Sequence, residues 1–260
     1  MKQIILAFQF LTVFPVQDQG VLSGEEVGRA AAWFPLVGLI EGLILGISAK
    51  GLLSLFPVEV VNALLVLLIA LMNGGLHLDG LADTADAVAS RAGRERKLAI
   101  MKEGSVGPAG VIAIVITLLL KYALLNALFR DVSQGAHAGA ILAMPVLSRW
   151  AMVPAAFYGE PARQDGLGKM VIDHTGKGQL ITATAAAFVL LGAAAALQGG
   201  MHLMAFYAMF VMPLLYAFSF GAARFCRKAF GGLTGDTFGA VNEISALVFL
   251  LMVLINNAAV

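Results

Sequence analysis

The chain has 260 residues, of which 60% are hydrophobic and 13% are charged, and its mean hydropathy is +0.88. Soluble globular domains carry roughly 25% charged residues, so this composition predicts an integral membrane protein. A net charge of +1 excludes the basic excess that nucleic-acid binding requires, and a single cysteine, Cys226, excludes an internal disulfide. We therefore expect an all-α, polytopic membrane protein with lipid, and not nucleic acid, around it.

The predicted elements begin with an apolar stretch, residues 3–16, which is too short to span a membrane and has no small-residue cleavage site after it. We expect a retained helix that dips into the membrane. Seven later stretches approach the roughly 20 apolar residues that a spanning helix needs. They are 30–53, 57–76, 108–129, 136–158, 180–198, 201–222 and 238–257. Charges and prolines inside some spans leave counts of six or eight open.

Three long polar loops connect these predicted spans, at 77–107, 159–179 and 223–237. No repeat or linker divides the chain, so residues 1–260 are predicted to form a single transmembrane domain.

Seven spans place successive loops on alternating sides of the membrane, and the distribution of basic residues indicates which side is cytoplasmic. Thirteen of the 17 lysines and arginines fall on the side of the N-terminus and the long loops. Two, Lys50 and Arg130, fall on the other side, and two lie within spans. The positive-inside rule then places the N-terminus and the long loops in the cytoplasm, which predicts a multi-pass protein of a bacterial or archaeal inner membrane.

The first span carries small residues at every fourth position, Gly38, Gly42 and Gly46, which favours close packing of another helix. Glu41 lies beside this stripe, and Lys121 lies at a similar depth in the third span, near 16 and 20 Å by a rise of about 1.5 Å per residue. Because an unpartnered charge at such depth is costly, Glu41 and Lys121 are predicted to pair.

The stretch GGLHLDGLADTADA, residues 74–87, ends a long apolar run with three aspartates, Asp79, Asp83 and Asp86. Their i, i+4, i+7 spacing places them within about 60° of one another on a helix. Carboxylates on one face repel one another, so the pattern indicates a bound cation. Mg²⁺ is the natural candidate, and Mn²⁺ also suits an all-oxygen site. The alternative is a helix end whose aspartates are solvated in the headgroup region.

Five basic residues follow the aspartates closely, at Arg91, Arg94, Arg96, Lys97 and Lys102. A metal site beside cations is typical of a phosphorylated substrate. Most of the five are ordinarily headgroup contacts, but Lys102 stands where the chain re-enters the membrane and is our candidate phosphate ligand. Arg149 lies inside the fourth span and needs an anion, for which a structural ion pair and a substrate phosphate are equally open.

Two further polar segments face the same side. GGLTGDTFGAVNEI contains Asp236 and Glu243, seven residues apart and therefore on one helix face. The glycine-punctuated loop PARQDGLGKMVIDHTGKG, residues 161–178, is suited either to cover a polar substrate or simply to connect two spans.

Taken in order, GGLHLDGLADTADA, LAIMKEGSVGPAGV, DGLGKMV and GGLTGDTFGAVNE, together with FPLVGLIEG near the N-terminus, resemble the motifs of the cobalamin 5′-phosphate synthases, also called adenosylcobinamide-GDP ribazoletransferases. The resemblance implies a magnesium-dependent membrane transferase late in vitamin B12 assembly. Such an enzyme joins adenosylcobinamide-GDP to α-ribazole or α-ribazole 5′-phosphate and releases GMP. Metal ions and cations would neutralise the diphosphate during this transfer. The resemblance leaves oligomerisation open.

Carried over residue by residue, the resemblance makes Asp79, Asp83 and Asp86 metal ligands, with Asp83 and Asp86 also catalytic. Asp236 and Glu243 would complete the metal site, and His77 or a carboxylate would serve as the base. Phosphate oxygens would be bound by Lys102 and Arg149. The chain has Gly104 and Ser105 where the family usually has an arginine, so Arg94 or Lys177 would substitute at the leaving GMP. It also has Ala87 in place of a glycine, which changes little.

Three other functions remain as rivals. The acidic motif resembles, more loosely, that of the CDP-alcohol phosphotransferases, in which CMP leaves. A membrane prenyltransferase also binds a diphosphate through aspartates and magnesium, but it needs a second strong aspartate cluster. A transporter would use Glu41, Lys121 and Arg149 to line a path, although the charges here gather at one face rather than at the midplane.

Overall fold

The computed structural model describes residues 2–14, 23–197 and 201–258, and within them all regular structure is helical except one isolated β-bridge, Pro161–Leu233. The helices are α1 (Lys2–Leu11), α2 (Gly24–Ala30), α3 (Phe34–Leu52), α4 (Val58–Met72), α5 (Leu76–Ala89), α6 (Arg94–Ile100), α7 (Pro108–Ala127), α8 (Gln134–Tyr158), α9 (Leu167–His174), α10 (Lys177–Leu197), α11 (Met201–Phe206), α12 (Met212–Phe230) and α13 (Gly235–Ala258). Single turns of 3₁₀ or π-helix join α2 to α3, extend α7 and join α11 to α12.

In the part of the chain that the structure describes, five segments are long and apolar enough to cross a membrane, which confirms the prediction of a polytopic helical bundle. They are Gly24–Leu52, Pro108–Arg130, Gln134–Tyr158, Leu203–Phe230 and Gly235–Asn256. The predicted spans 57–76 and 180–198 differ, because each qualifies only when α4 is joined to α5, or α9 to α10, across a bend of 86° or 96°. By length and composition, the described residues therefore contain five to seven candidate spans.

Helix α8 forms the centre of the bundle, and 89% of its most apolar 18-residue stretch is buried. It packs against α3, α10, α12 and α13. The contact with α3 uses two of the three stacked glycines, since a Cβ at Gly38 or Gly42 would collide with the carbonyl oxygens of Pro145 or Leu142. Gly46 has no neighbour within contact distance, so the predicted stripe serves packing over two of its three positions.

The predicted pairing of Glu41 with Lys121 is wrong. Glu41 binds Arg149, with 2.8 Å between Arg149 Nη2 and Glu41 Oε2, and Lys121 binds Glu243 at 2.5 Å. All four side chains are buried. Depth alone was a poor guide because the partner of a charge depends on which helices adjoin: α3 packs on α8, whereas α7 packs on α13.

A sharp turn separates α4 from the acidic helix α5. Gly74 and Gly75 both have left-handed backbone conformations, with φ of +58° and +74°, which a residue with a Cβ adopts only at a cost. The Gly75 N–H donates to the Ala70 carbonyl at 2.9 Å and closes the end of α4. Just before the turn, the Asn73 side chain accepts a hydrogen bond from Arg149 at 3.0 Å. The turn and its anchor set the direction in which α5 leaves.

Candidate active site

Helices α5 and α13 cross at two glycines. A Cβ at Gly80 would lie 2.5 Å from the carbonyl oxygen of Asp236, and one at Gly239 would lie 2.9 Å from the carbonyl oxygen of His77. Because neither residue has a side chain, the two backbones touch. This contact brings the start of the acidic face on α5 beside Asp236 on the first turn of α13.

The glycine-rich segment before α13 is a turn followed by a helix cap. The Thr237 N–H donates to Thr234 Oγ1 at 3.2 Å, and the Thr234 N–H donates to Thr237 Oγ1 at 2.9 Å. The Thr234 hydroxyl also donates to Asp236 Oδ2 at 3.2 Å. Capping of this kind satisfies backbone groups at a helix start and fixes its position. The cap therefore holds the Asp236 carboxylate in place.

A cavity of about 290 Å³ lies where α5, α13 and the segment around α9 meet. Its polar lining combines both signs of charge with a histidine, and its remaining wall is apolar and glycine-rich. The charged and histidine residues that line it are His77, Asp79, Arg163, Asp165, Lys169 and Asp236.

Asp83 lies one turn further along α5 than Asp79 and is only 7% exposed. Helix α5 is not itself one of the five spanning segments. Burial raises the pKa of Asp83 to about 6, and repulsion from Asp79, Asp236 and Asp86 adds to the rise. Arg163 opposes it. The predicted gathering of negative charge is therefore present, and it is only partly neutralised by the protein.

Asp86 performs a different task from its neighbours. Its Oδ2 accepts a hydrogen bond from the Gly107 N–H at 2.7 Å, and its Oδ1 accepts one from the Gly110 N–H at 2.9 Å. Both glycines lie at the start of α7, and a Cβ at either would collide with the carboxylate. Asp86 thus caps α7 from another helix, in the favourable position for an anion at a helix N-terminus. Its predicted metal and catalytic roles stay predictions.

His77 lies within α5, which begins at Leu76, so its side chain is directed away from that of Asp79 around the helix. It is nevertheless part of the cavity wall and is 3% exposed. Its Nε2 has no hydrogen-bond partner in the described residues. Burial, with smaller contributions from Arg149 and Lys121, lowers the pKa of His77 well below its ordinary value and keeps the ring neutral.

Two predicted site residues lie in the bundle interior instead of at the cavity. Glu243 is buried with Lys121 and accepts a second hydrogen bond from Asn242 at 3.2 Å. Arg149 is fully buried and donates to Glu41, Asn73, Asn242 and Ser148. For Arg149 the geometry therefore favours the structural ion pair over the phosphate contact.

The predicted phosphate-binding cations are also not at the cavity. Lys102, Arg94 and Lys177 are exposed and none of them lines it. The Arg94 guanidinium instead packs against Gly231, at the end of α12. The cavity cations are Arg163 and Lys169, which the sequence reasoning missed. Both lie in the glycine-punctuated 159–179 loop, for which the sequence allowed either a substrate cover or a simple connection. The sequence therefore indicated the right loop, but the cation predicted from it was Lys177.

The carboxylates suit Mg²⁺ or Mn²⁺ in chemical type, since both ions prefer oxygen ligands. Across the described residues, no three acidic, histidine or cysteine side chains stand close enough to hold an ion by themselves. Mg²⁺ usually keeps several waters and binds through one or two carboxylates together with substrate phosphates. A partly neutralised pair such as Asp79 and Asp236 beside a cavity fits that mode, and a closed protein cage is not required.

Comparison with known proteins gives concordant matches along the chain. The profile of the family described as cobalamin-5-phosphate synthase matches residues 3–254. An adenosylcobinamide-GDP ribazoletransferase of Geotalea daltonii is 36% identical over 251 residues, 96% of each chain. Proteins of the same name from Pseudomonas savastanoi pv. phaseolicola and Caldanaerobacter subterraneus subsp. tengcongensis are 40% and 33% identical, over 95% of this chain and 96% of theirs. No solved structure matches the chain significantly.

Proposed function

The chain belongs to the cobalamin-5-phosphate synthase family, and we propose that it joins adenosylcobinamide-GDP to α-ribazole or α-ribazole 5′-phosphate and releases GMP, a late step of vitamin B12 assembly. The observation that carries this proposal is the meeting of two distant motifs. Asp79 of α5 and the glycine-rich start of α13 line one cavity together with two cations. A diphosphate substrate needs this combination of metal-binding carboxylates and phosphate-binding cations.

In the proposed reaction, a ribose hydroxyl of the α-ribazole moiety attacks the phosphorus bonded to the cobinamide arm. The new O–P bond forms as the bond to the GMP oxygen breaks, and the hydroxyl proton passes to a base. Asp79 and Asp236 would hold Mg²⁺ together with oxygens of the diphosphate, whose charge the ion would neutralise. The capped start of α13 fixes Asp236, and Asp86 fixes the start of α7 beside α5.

Two groups near the cavity are candidates for the base. Asp83, with a pKa of about 6, is close to the value at which a general base works best near neutral pH. His77 is neutral and its Nε2 has no hydrogen-bond partner in the described residues, but its lowered pKa makes it a weaker base. We propose that His77 forms a hydrogen bond with the incoming hydroxyl group and that Asp83 accepts its proton.

The decisive experiment uses purified protein in liposomes with adenosylcobinamide-GDP, α-ribazole 5′-phosphate and Mg²⁺, and measures release of GMP. We expect GMP in step with the corrinoid product and none when the metal is chelated. Well-folded protein that releases no GMP would contradict the proposed reaction. Release of CMP from a CDP-alcohol, with no GMP from the corrinoid substrate, would favour the CDP-alcohol phosphotransferase alternative.

The cavity is proposed to face the cytoplasm of a bacterial or archaeal cell, with the N-terminus on the same side of the inner membrane. The support is the concentration of 13 basic residues on the side that carries the long loops. Segments from all three predicted loops also meet at this cavity end, where Asp79, Arg163 and Leu233 contribute to one lining.

Cysteine labelling tests this topology in a Cys226→Ala background. Lys50 and Ser105 are both exposed and lie on either side of the α4–α5 pair. A membrane-impermeant maleimide should label the Lys50→Cys variant in intact cells and the Ser105→Cys variant only after permeabilisation. Equal labelling of both would show that α4 and α5 form a re-entrant loop and that the proposed topology is wrong.

A further inference from the structure

Arg163 is held in place by backbone contacts on its N-terminal side. The Leu233 N–H donates to the Glu160 carbonyl at 2.7 Å, and the Ala162 N–H donates to the Leu233 carbonyl at 2.8 Å. Gly232 permits this approach, since a Cβ there would lie 2.3 Å from the Glu160 carbonyl oxygen. The residue that precedes Arg163 is thereby fixed to the turn that starts α13, so its side chain emerges at a defined place beside Asp236.

The guanidinium of Arg163 is neutralised but poorly hydrogen-bonded. Its Nη2 lies 3.1 Å from Asp236 Oδ2, and the side chain is 20% exposed. Nε and Nη2 are nonetheless buried without a hydrogen-bond partner. The planar fork of an arginine matches two oxygens of a phosphate, and such charge-assisted bonds are the strong ones. Arg163 is one of the residues that line the cavity in which a diphosphate is proposed to bind.

The other cation at the cavity wall is already paired. Lys169 binds Asp173 one turn along α9, within the same short helix. Its charge is therefore shared with a carboxylate that does not line the cavity. Arg163 therefore differs from Lys169 in two ways. It has hydrogen-bond donors without a partner, and it is paired with Asp236, the carboxylate proposed to bind the metal.

We infer that Arg163 exchanges partners during binding: it is the counter-ion of Asp236 when no metal is bound, and it binds the substrate diphosphate when a divalent metal takes Asp236. This inference rests on the proposed function. A divalent cation and a guanidinium beside one carboxylate repel each other, so the metal-bound site favours departure of Arg163. The diphosphate that accompanies the metal supplies oxygen acceptors for its unused donors. The exchange leaves Arg163 paired with an anion in both states.

The test measures metal and nucleotide separately on the full-length protein in detergent. Mn²⁺ binding is followed by electron paramagnetic resonance without nucleotide, and GDP binding is followed by calorimetry with Mn²⁺ present. The Arg163→Gln variant should bind Mn²⁺ more tightly than the wild type, because a competing cation is gone. It should bind GDP about tenfold to a hundredfold more weakly, the range expected for loss of a hydrogen bond to a charged group.

Two further variants sharpen the result. Arg163→Lys keeps the charge and loses the fork, so Mn²⁺ binding should match the wild type while GDP binding weakens. Arg227→Gln is the matched control, because Arg227 pairs with Glu160 at the surface of the same region and does not line the cavity. It should change neither measurement. If Arg163→Gln is poorly folded, the lysine variant alone decides the matter through its GDP affinity.

Three outcomes would overturn the exchange. If Arg163→Gln weakens Mn²⁺ and GDP binding together, Arg163 is a structural support. If it leaves GDP binding unchanged, Arg163 is only a counter-ion. Wild-type GDP affinity in Arg163→Lys would show that the fork is not used. Failure of the wild type to release GMP from adenosylcobinamide-GDP would instead contradict the proposed function, so the two failures are distinguishable.

Discussion

Two groups of charged side chains in the described residues, one in the bundle interior and one at the cavity, are built differently. In the bundle interior, Arg149 pairs with Glu41 and Lys121 pairs with Glu243, so cations and anions match one to one. At the cavity end, Asp79 and Asp236 line the cavity and Asp83 lies one turn beyond Asp79, while Arg163 is the cation that acts on both Asp83 and Asp236. Burial is therefore not what distinguishes a functional charge here. The unbalanced group is the one that needs something from outside the chain.

The interior group should respond most strongly to loss of one partner. Replacing Arg149 by methionine leaves Glu41 buried and uncompensated, which should cost about 3–5 kcal/mol in the free energy of unfolding. The double variant Glu41→Gln with Arg149→Met should recover most of that loss. Unfolding in detergent, followed by circular dichroism during denaturant titration, measures both.

The matched control for this prediction is Lys2→Met, because Lys2 and Glu26 form a pair that is more than a third exposed. Its cost should be about 0–1 kcal/mol. An equally small cost for Arg149→Met would show that the interior charges are not a structural unit.

The cavity group should lose activity without losing stability. Asp83→Asn removes a charge that its neighbours oppose, so the unfolding midpoint should stay the same or rise. GMP release should fall about 10²–10³-fold, which is within the range expected for loss of a general base. A variant with full activity would refute the role of Asp83, and a variant that unfolds would place it with the interior charges.

A substitution at the glycine contact between α5 and α13 should lower both stability and activity. Gly80→Ala introduces a methyl group 2.5 Å from the Asp236 carbonyl oxygen, which should separate α5 from α13 at a cost of about 1–3 kcal/mol. Activity should fall as well, because Asp79 and Asp236 move apart. Gly178→Ala is a suitable control, since it has open space around it. Comparable losses in both variants would point to a general effect of helix glycines.

The smallest expected effect is a pH step in metal binding. The pKa of Asp83 is raised to about 6 in the folded protein, so the folded state keeps a proton that the unfolded state has lost between about pH 4 and 6. Stability from this group therefore falls as pH rises through that window, while a negative charge appears beside the proposed metal ligands. Mn²⁺ affinity should therefore weaken below pH 6 and level off above it. The step should be absent in Asp83→Asn.

Much of the fold was predictable because hydropathy is a local property. Runs of apolar residues located the spans, and the helix period placed Asp79 and Asp83 on one face. Pairing was not predictable in the same way: Glu41 and Lys121 have similar depths, but depth does not determine which helices are neighbours. The 57–76 span also appears continuous in hydropathy, and only the left-handed conformations of Gly74 and Gly75 turn its end into a separate helix.

The site was predictable for its carboxylates and less so for its cations. A carboxylate triad at helical spacing is an unusual pattern, whereas lysines and arginines near a membrane are common for reasons of orientation. Lys102 and Arg163 therefore give similar signals in sequence. What separates them is the backbone bridge between residues 160–162 and Leu233, a contact between distant loops that no local pattern encodes.

Helix α13 carries Asp236 at the cavity and Glu243 in the interior, seven residues and therefore about 10 Å apart along one rigid axis. The Lys121 pair consequently fixes the register of α13 as well as satisfying a buried charge. A slip of one residue would move Asp236 by about 1.5 Å and rotate it by about 100°. Glu243 therefore sets the position of the Asp236 carboxylate without contacting it. The GGLTGDTFGAVNE motif thus contains both a proposed site residue and the residue that positions it.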